Sequence, residues 1–212
     1  SGGVPMIACG CSVCTSADPC DKRLRSSILV RSATTTLVVD TGPDFRYQML
    51  RARVGQLDAV LFTHPHKDHV AGMDDIRAFN YFSGLPMPVY ANEMTQEVLI
   101  REFPYAFADT RYPGVPEIGL NTIGMEPFRI GDIPIQPIEV WHMKMPVLGF
   151  RFGKFTYITD ANNIGETTNK TVINNTPTKA RTLRINWTIF HILIFNKVSQ
   201  KFNCLVIIFS IV

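Results

Sequence analysis

The segment Thr63-His64-Pro65-His66-Lys67-Asp68-His69 concentrates three imidazoles and a carboxylate in one short stretch. It follows the apolar run at 59–62, which is typical of a buried strand. Pro65 rules out a regular strand or helix through the middle of the segment, because proline lacks a backbone N–H. Neutral imidazole and carboxylate are ligands for zinc and other divalent first-row metals. So many ligands on one strand-to-helix turn indicate two ions rather than one.

Charge is distributed unevenly along the 212 residues. Up to residue 166 there are 15 Lys and Arg, all 18 Asp and Glu, and all 14 Gly, whereas the last 46 residues have six Lys and Arg and no acid. The mildly acidic body argues against a general nucleic-acid-binding surface. Asp and Glu normally mark helix starts and solvated faces, so segment 167–212 does not resemble half of an α/β domain. We predict one domain over 1–166 and an aberrant tail over 167–212 that comes from a frameshifted or otherwise foreign reading of the gene.

The N-terminal region has four of the five cysteines, which are Cys9, Cys11, Cys14 and Cys20. Such short spacings favour a metal over disulfides, and the first three thiolates can wrap one zinc ion. A closed structural site needs a fourth ligand, for which Cys20 is the local candidate. A set of small buried thiols is the alternative.

The ends of the sequence bear on its location. The chain starts with Ser1 inside a glycine-rich stretch rather than with Met, so we expect an N-terminal strand to be missing. Nothing resembles a secretion signal, and the apolar run at 205–212 is too short to span a bilayer. We therefore predict a reducing, cytoplasmic location without a membrane partner.

Apolar periodicity and β-branched runs predict the other elements. The predicted strands are 27–30, 35–39, 57–63, 88–91, 127–130, 133–140, 147–152 and 155–159, and the predicted helices are 45–52, 70–82 and 95–102. In the helix over 70–82, we expect Ile76, Phe79 and Tyr81 to face the core. Arg77 is predicted to pair with a neighbouring Asp, with an anionic substrate as the alternative. The irregular segment 103–119 either lines a pocket or packs over a sheet edge.

Polar residues at three strand ends are candidates to complete the metal centre. Asp40, in Asp40-Thr41-Gly42, either orients a metal-bound histidine or caps the helix that follows. His142 and Asp160 end two later strands, where a sheet-based site collects its distant ligands. A buried, hydrogen-bonded histidine is the alternative role for His142.

These motifs resemble those of the metallo-β-lactamase-fold hydrolases. The resemblance comprises the Thr-His-x-His-x-Asp-His loop, the preceding Val-Asp-Thr-Gly, and the strand ends at His142 and Asp160. Ser-x-Gly-Val-Pro, the Cys-x-Cys-x-x-Cys that follows it, and segment 146–153 are similar to the phosphoribosyl cyclic phosphodiesterase branch. That branch resembles the transfer-RNA 3′-processing nucleases. The resemblance covers about residues 1–166 and implies an α/β fold, an αββα sandwich that is incomplete at the C-terminus.

The resemblance also implies a set of metal ligands. A first ion would be held by His64, His66 and His142, and a second by Asp68 and His69 with Asp160 bridging. The ions would be zinc or manganese, and Asp68 is the residue assigned to catalysis. Cys9, Cys11 and Cys14 would hold one structural zinc. The late histidines that this family uses for the second metal, the zinc clip and the general acid have no match, since His191 has the wrong surroundings.

The activity implied is hydrolysis of a phosphodiester, a small cyclic phosphate, by a water shared between two divalent ions. One alternative is an RNA-processing nuclease of the same fold, which is disfavoured because no long substrate-gripping insertion is visible. The other is a metal-binding but inactive product, if the half-domain that completes the site is lost. Whether the protein forms a homodimer is left open by the sequence.

Overall fold

The computed structural model describes residues 2–110, 112–165, 181–182, 190–195 and 205–208. These residues form two compact units. One comprises the described parts of 1–31, 36–122 and 205–212, and the other comprises those of 32–35 and 123–204. The predicted domain boundary at residue 166 and most of the predicted aberrant tail lie outside the described residues.

The first unit combines a mixed sheet with short helices. Its strands are β1 (Ile28–Arg31), β2 (Thr36–Val39), β3 (Ala59–Leu61), β4 (Met87–Ala91), β5 (Ile118–Thr122) and β12 (Leu205–Ile208). Its helices are α1 (Ser12–Thr15), α2 (Phe45–Arg51), α3 (Lys67–Val70), α4 (Arg77–Ser83), α5 (Glu93–Glu102) and α6 (Pro104–Phe107), with 3₁₀ turns at Pro19–Asp21 and Met73–Ile76. The strand order is β12-β1-β2-β3-β4-β5. The predicted β1–β2 hairpin is confirmed, and β2 to β5 run parallel.

An apolar cluster joins this sheet to its helices. In this buried cluster, Val38 of β2 and Val60 of β3 pack with three residues from the helical side. These are Phe45 of α2, Leu99 of α5, and Ile76 at the end of the 3₁₀ turn. Because β2 and β3 are parallel neighbours, their carboxyl ends lie at the same edge of the sheet. The Asp-Thr-Gly segment after β2 and the histidine loop after β3 therefore start side by side.

The helix predicted over 70–82 is wrong as a single element. The helical conformation is interrupted at Gly72. The chain then forms the 3₁₀ turn Met73–Ile76 and continues as α4. The cause is a tertiary contact, since the Gly72 N–H donates to Thr41 O at 2.7 Å instead of continuing a regular helix. Ile76 is buried and Phe79 packs against the core, as predicted.

The inward position predicted for Tyr81 is also wrong, because its side chain is 83% exposed. Asn80 takes the buried position beside it. The Asn80 amide donates to Leu85 O and Glu117 O at 2.9 Å each and accepts from Glu117 N at 3.0 Å. A polar side chain thus fills a core-facing position by satisfying backbone groups, which apolar periodicity does not reveal.

The second unit is an antiparallel sheet. Its strands are β6 (Phe128–Ile130), β7 (Ile133–His142), β8 (Met145–Phe152), β9 (Phe155–Ala161), β10 (Arg181–Thr182) and β11 (Phe190–Phe195), in the order β10-β11-β9-β8-β7-β6. The four strands predicted here are confirmed, with β7 longer than expected and ending at His142. None of the helices in the described part of the chain has the length and apolar character needed to cross a lipid bilayer.

Candidate metal centre

Backbone hydrogen bonds fix the histidine loop against the segment that follows β2. The Asp40 N–H donates to Leu61 O and the Thr41 N–H to His69 O, each at 2.8 Å. Gly42 permits this approach, because a Cβ at that position would lie 2.4 Å from Asp68 O. The loop therefore has one backbone arrangement, set by a glycine and two strand ends.

Asp40 is the centre of a buried polar network. Its carboxylate accepts from the Thr63 N–H at 2.8 Å, from the Thr63 hydroxyl at 2.8 Å and from His69 Nδ1 at 2.8 Å. All three residues are fully buried. Asp40 also has a φ of 64°, in the left-handed region that non-glycine residues rarely adopt. The capping role predicted as one alternative for Asp40 is wrong, since Asp44 is the N-cap of α2, and the role of orienting a histidine fits instead.

This network sets the tautomers of two histidines. His69 Nδ1 faces a carboxylate and so carries the proton, which leaves a lone pair on Nε2. The Thr63 hydroxyl gives its one proton to Asp40 and so accepts from His64 Nδ1 at 2.9 Å, which leaves the His64 Nε2 lone pair. Both imidazoles are therefore in the form that binds a metal through Nε2. Thr63 was given no role by the sequence; its position directly before His64 was the available signal.

The loop presents two pairs of ligand atoms. His64 Nε2 lies 3.2 Å from His66 Nδ1, and His69 Nε2 lies 3.4 Å from Asp68 Oδ2. Two atoms that bind one tetrahedral zinc ion at its usual bond lengths lie about 3.3–3.6 Å apart. The His69–Asp68 pair lies within this spacing, and the His64–His66 pair is about 0.1 Å shorter than its lower end. His66 is solvent-exposed, whereas His64 and His69 are buried.

The electrostatics of the loop favour an ionised Asp68. Partial burial disfavours the charged carboxyl, but whenever His69 is protonated on both ring nitrogens, its Nε2–H bond and its positive charge outweigh burial and hold the pKa of Asp68 well below its usual range. Asp68 is thus a carboxylate, the form in which it can bind a metal.

The cations beside the loop are paired with acids. Lys67 Nζ contacts Glu102 Oε2 and lies 5.5 Å from the centre of the Phe103 ring. Arg77 pairs with Asp74 at 3.2 Å, so the predicted ion pair is confirmed. Burial and the hydrogen bond to Asp74 raise the pKa of Tyr105 to about 12.

Segment 103–119 begins with α6, where Phe103 and Ala106 join the apolar cluster, in line with its predicted packing role.

The two distant candidate ligands lie in the second unit. Asp160 is buried near the end of β9, has a φ of 56° and accepts from the Thr159 hydroxyl at 3.0 Å. His142 is the last residue of β7 and is partly buried. Within that unit their strand ends are those predicted from the sequence, and their role as ligands stays a prediction.

The cysteine loop brings three thiols together. Cys9, Cys11 and Cys14 place their sulfur atoms within 4.8 Å of one another, compatible with the ~3.8 Å sulfur spacing of a zinc–thiolate site. The Cys14 backbone N–H, together with the thiols of Cys9 and Cys14, lowers the pKa of Cys11 to about 7. None of the three is buried, so the buried-thiol alternative is wrong.

Cys20 lies outside this three-thiol group. Its backbone N–H donates to Asp18 Oδ1 at 2.8 Å, and the negative charge of Asp18 raises the pKa of its thiol. The structure therefore does not supply Cys20 as the fourth ligand suggested by the sequence.

With this geometry in place, the relatives can be compared. A sequence model of the Beta-lactamase superfamily domain matches residues 35–176. The chain belongs to the beta-lactamase superfamily. Among solved structures, the crystal structure of a new diphosphatase from the PhnP family has a TM-score of 0.73 and 36% identity, and covers 80% of this chain and 64% of that one. The predicted metallo-β-lactamase fold is thereby confirmed.

Curated proteins also match a large part of this chain. An octanoyltransferase from Porphyromonas gingivalis is 38% identical over 166 residues, which cover 77% of this chain and 33% of that protein. A ribonuclease Z from a Bradyrhizobium species is 30% identical over 146 residues, which cover 63% of this chain and 46% of that protein. The chain thus spans between a third and about half of the length of these relatives. The fold family implies divalent metal ions, and the ligand pairs of the loop fit them.

Proposed function

We propose that this chain is a metal-dependent hydrolase that cleaves a phosphodiester, with a small cyclic phosphate as the preferred substrate. The observation that carries the proposal is the presence of two ligand pairs, at 3.2 and 3.4 Å, on one loop that backbone hydrogen bonds hold against the segment after β2. Support comes from the similarity to a diphosphatase and to a ribonuclease Z, two proteins named for hydrolysis at phosphorus. The match to the octanoyltransferase covers a third of that protein and does not bring acyl transfer to this chain.

The proposed ligand set combines the two ligand pairs of the loop with the two strand-end residues that the family resemblance implies. His64 Nε2 and His66 Nδ1 would hold one ion together with His142, and His69 Nε2 and Asp68 Oδ2 would hold the other, with Asp160 bridging. The ions are zinc or manganese. When bound, they would lower the pKa of a shared water and offset the charge of the phosphate oxygens. Cys9, Cys11 and Cys14 would hold a separate structural zinc.

The chain itself supplies preorganisation. Asp40 and Thr63 keep the lone pairs of His64 and His69 turned away from the network and towards the ligand positions. Because these four residues are buried, water does not compete for their hydrogen bonds. The exposed His66 marks the side of the loop from which a phosphodiester can approach. Asp68 stays ionised near neutral pH, which keeps its oxygens available as acceptors.

The test measures hydrolysis by metal-depleted protein after manganese or zinc is added back. Bis(p-nitrophenyl) phosphate, a five-membered cyclic ribose phosphate and a transfer-RNA precursor are compared as substrates. His64→Ala and Asp68→Ala should each lower kcat by about 100-fold or more, since each removes a ligand. Asn121→Ala is the control, because its exposed amide bonds Gly119 O within its own strand.

Three other results would each overturn part of the proposal. Preferred cleavage of the transfer-RNA precursor would make the chain a nuclease. Two bound ions without turnover would make it a metal-binding protein without catalysis. Full activity of Asp68→Ala would remove Asp68 from the site.

A further inference from the structure

The turn after His142 has an unusual backbone. His142 and Met145 are paired, so Met143 and Lys144 form a two-residue hairpin turn. Met143 has a φ of 57°, where such turns ordinarily use glycine, asparagine or aspartate. The Met143 side chain is 77% exposed, so its own burial does not stabilise this conformation. Contacts from elsewhere in the chain therefore hold the turn.

Those contacts come from the two residues after Ala161. Met143 N–H donates to Asn162 Oδ1 at 2.9 Å. The Trp141 N–H donates to Asn163 O and the Asn162 N–H to Trp141 O, each at 2.9 Å. The residues on both sides of His142 are thus tied to a segment that begins two positions after Asp160. Asn162 contributes the side-chain hydrogen bond to this connection.

Regular strand pairing does not make this connection. In the sheet, β8 lies between β7 and β9. The β8–β9 pairing extends over Phe150–Phe152 only and does not reach the hairpin turn. The ends of β7 and β9 therefore meet through the backbone of 141 and 163 and through the Asn162 amide.

We propose that Asn162 is a positioning residue that fixes the His142 imidazole relative to the Asp160 carboxylate. The inference rests on the proposed function, in which both are metal ligands. Segment 160–163 thereby supplies the Asp160 carboxylate, and it also holds the backbone on both sides of His142. Residues that orient metal ligands from outside typically change metal affinity by about 10–100-fold when removed.

The hydrogen bond from Met143 N–H requires a side-chain acceptor at position 162. Only an acceptor is needed, because the Met143 N–H is the donor. Asn162→Asp keeps the acceptor, whereas Asn162→Ala removes it. Asn163→Ala is a matched control, since within the described residues this exposed neighbour joins the connection through its backbone N–H and C=O.

The experiment measures zinc affinity by competition with a chromogenic chelator, and the visible absorption of the Co²⁺-substituted protein. We expect Asn162→Ala to weaken affinity about tenfold and to change the Co²⁺ spectrum. Asn162→Asp and Asn163→Ala should stay within about twofold of the unsubstituted protein in the same measurement. If Asn162→Ala fails to fold, Met143→Gly is added to relieve the turn, and the double variant should fold with weakened affinity.

His142→Ala separates the two proposals. If it weakens zinc binding and Asn162→Ala does not, the ligand set stands and the positioning role is overturned. If His142→Ala leaves zinc binding and the Co²⁺ spectrum unchanged, the ligand set fails and the positioning role fails with it. Equal losses in Asn162→Ala and Asn163→Ala would also overturn the role, because the side-chain acceptor would then be irrelevant.

Discussion

Replacing Asp40 by asparagine tests how the chain prepares its histidines. The carboxylate accepts from the Thr63 N–H, the Thr63 hydroxyl and His69 Nδ1, and an amide offers a single acceptor oxygen. If the amide nitrogen takes the Oδ2 position, it faces His69 Nδ1–H, and His69 has to adopt the tautomer that protonates Nε2. If it takes the Oδ1 position, the Thr63 N–H loses its acceptor.

The expected magnitude depends on the orientation of the amide. With its nitrogen at the Oδ1 position, the buried Thr63 N–H is left unsatisfied, which costs about 1–3 kcal/mol of folding free energy. A lost partner of a metal-binding histidine costs about 10–100-fold in metal affinity, equivalent to ~1.4–2.7 kcal/mol. Asp40→Asn should therefore weaken zinc binding by at least tenfold and lower the free energy of unfolding of the metal-free protein.

The assay combines zinc competition against a chromogenic chelator with urea unfolding of the metal-free protein. Asp58→Asn is the matched control. This half-buried carboxylate accepts from the Thr36 N–H at 2.7 Å and from Gln56 Nε2 at 2.9 Å, so its replacement loses one acceptor away from the histidines. It should cost stability without changing zinc affinity. Zinc binding within twofold of the unsubstituted protein in Asp40→Asn would refute the orienting role.

Two more outcomes follow from the same region and from the cysteine loop. Gly42→Ala should destabilise the fold by about 1–3 kcal/mol and weaken metal binding, because its Cβ would lie 2.4 Å from Asp68 O. Gly55→Ala, where a Cβ meets nothing within 4 Å, should change neither thermal unfolding nor zinc titration. In metal-free protein, alkylation of Cys11 should rise through about pH 7 as its thiolate forms, and that of Cys20 only at higher pH. Equal pH profiles by peptide mass mapping would contradict this order.

Local chemistry explains why the strands and the histidine loop were predictable. Residues 59–63 are apolar and β-branched, and Pro65 interrupts regular structure, so the sequence places a strand and then a loop whatever surrounds them. The same holds for the strands that end in His142 and Asp160. The prediction of one helix over 70–82 was wrong because the interruption at Gly72 depends on a hydrogen bond to Thr41. Thr41 lies some thirty positions earlier, outside any local sequence window.

The ligand types, their spacing on the loop and the family of the fold can be read from the order of residues. The choice between the two roles of Asp40 required the folded chain, because capping and histidine orientation use the same carboxylate and differ in which group lies opposite it. The tertiary structure also placed Thr63 between His64 and Asp40 and left Cys20 outside the thiol group. Hydrogen bonds of this kind are directional and short, so they depend on which strand ends are adjacent in the sheet, a property that the order of residues does not encode locally.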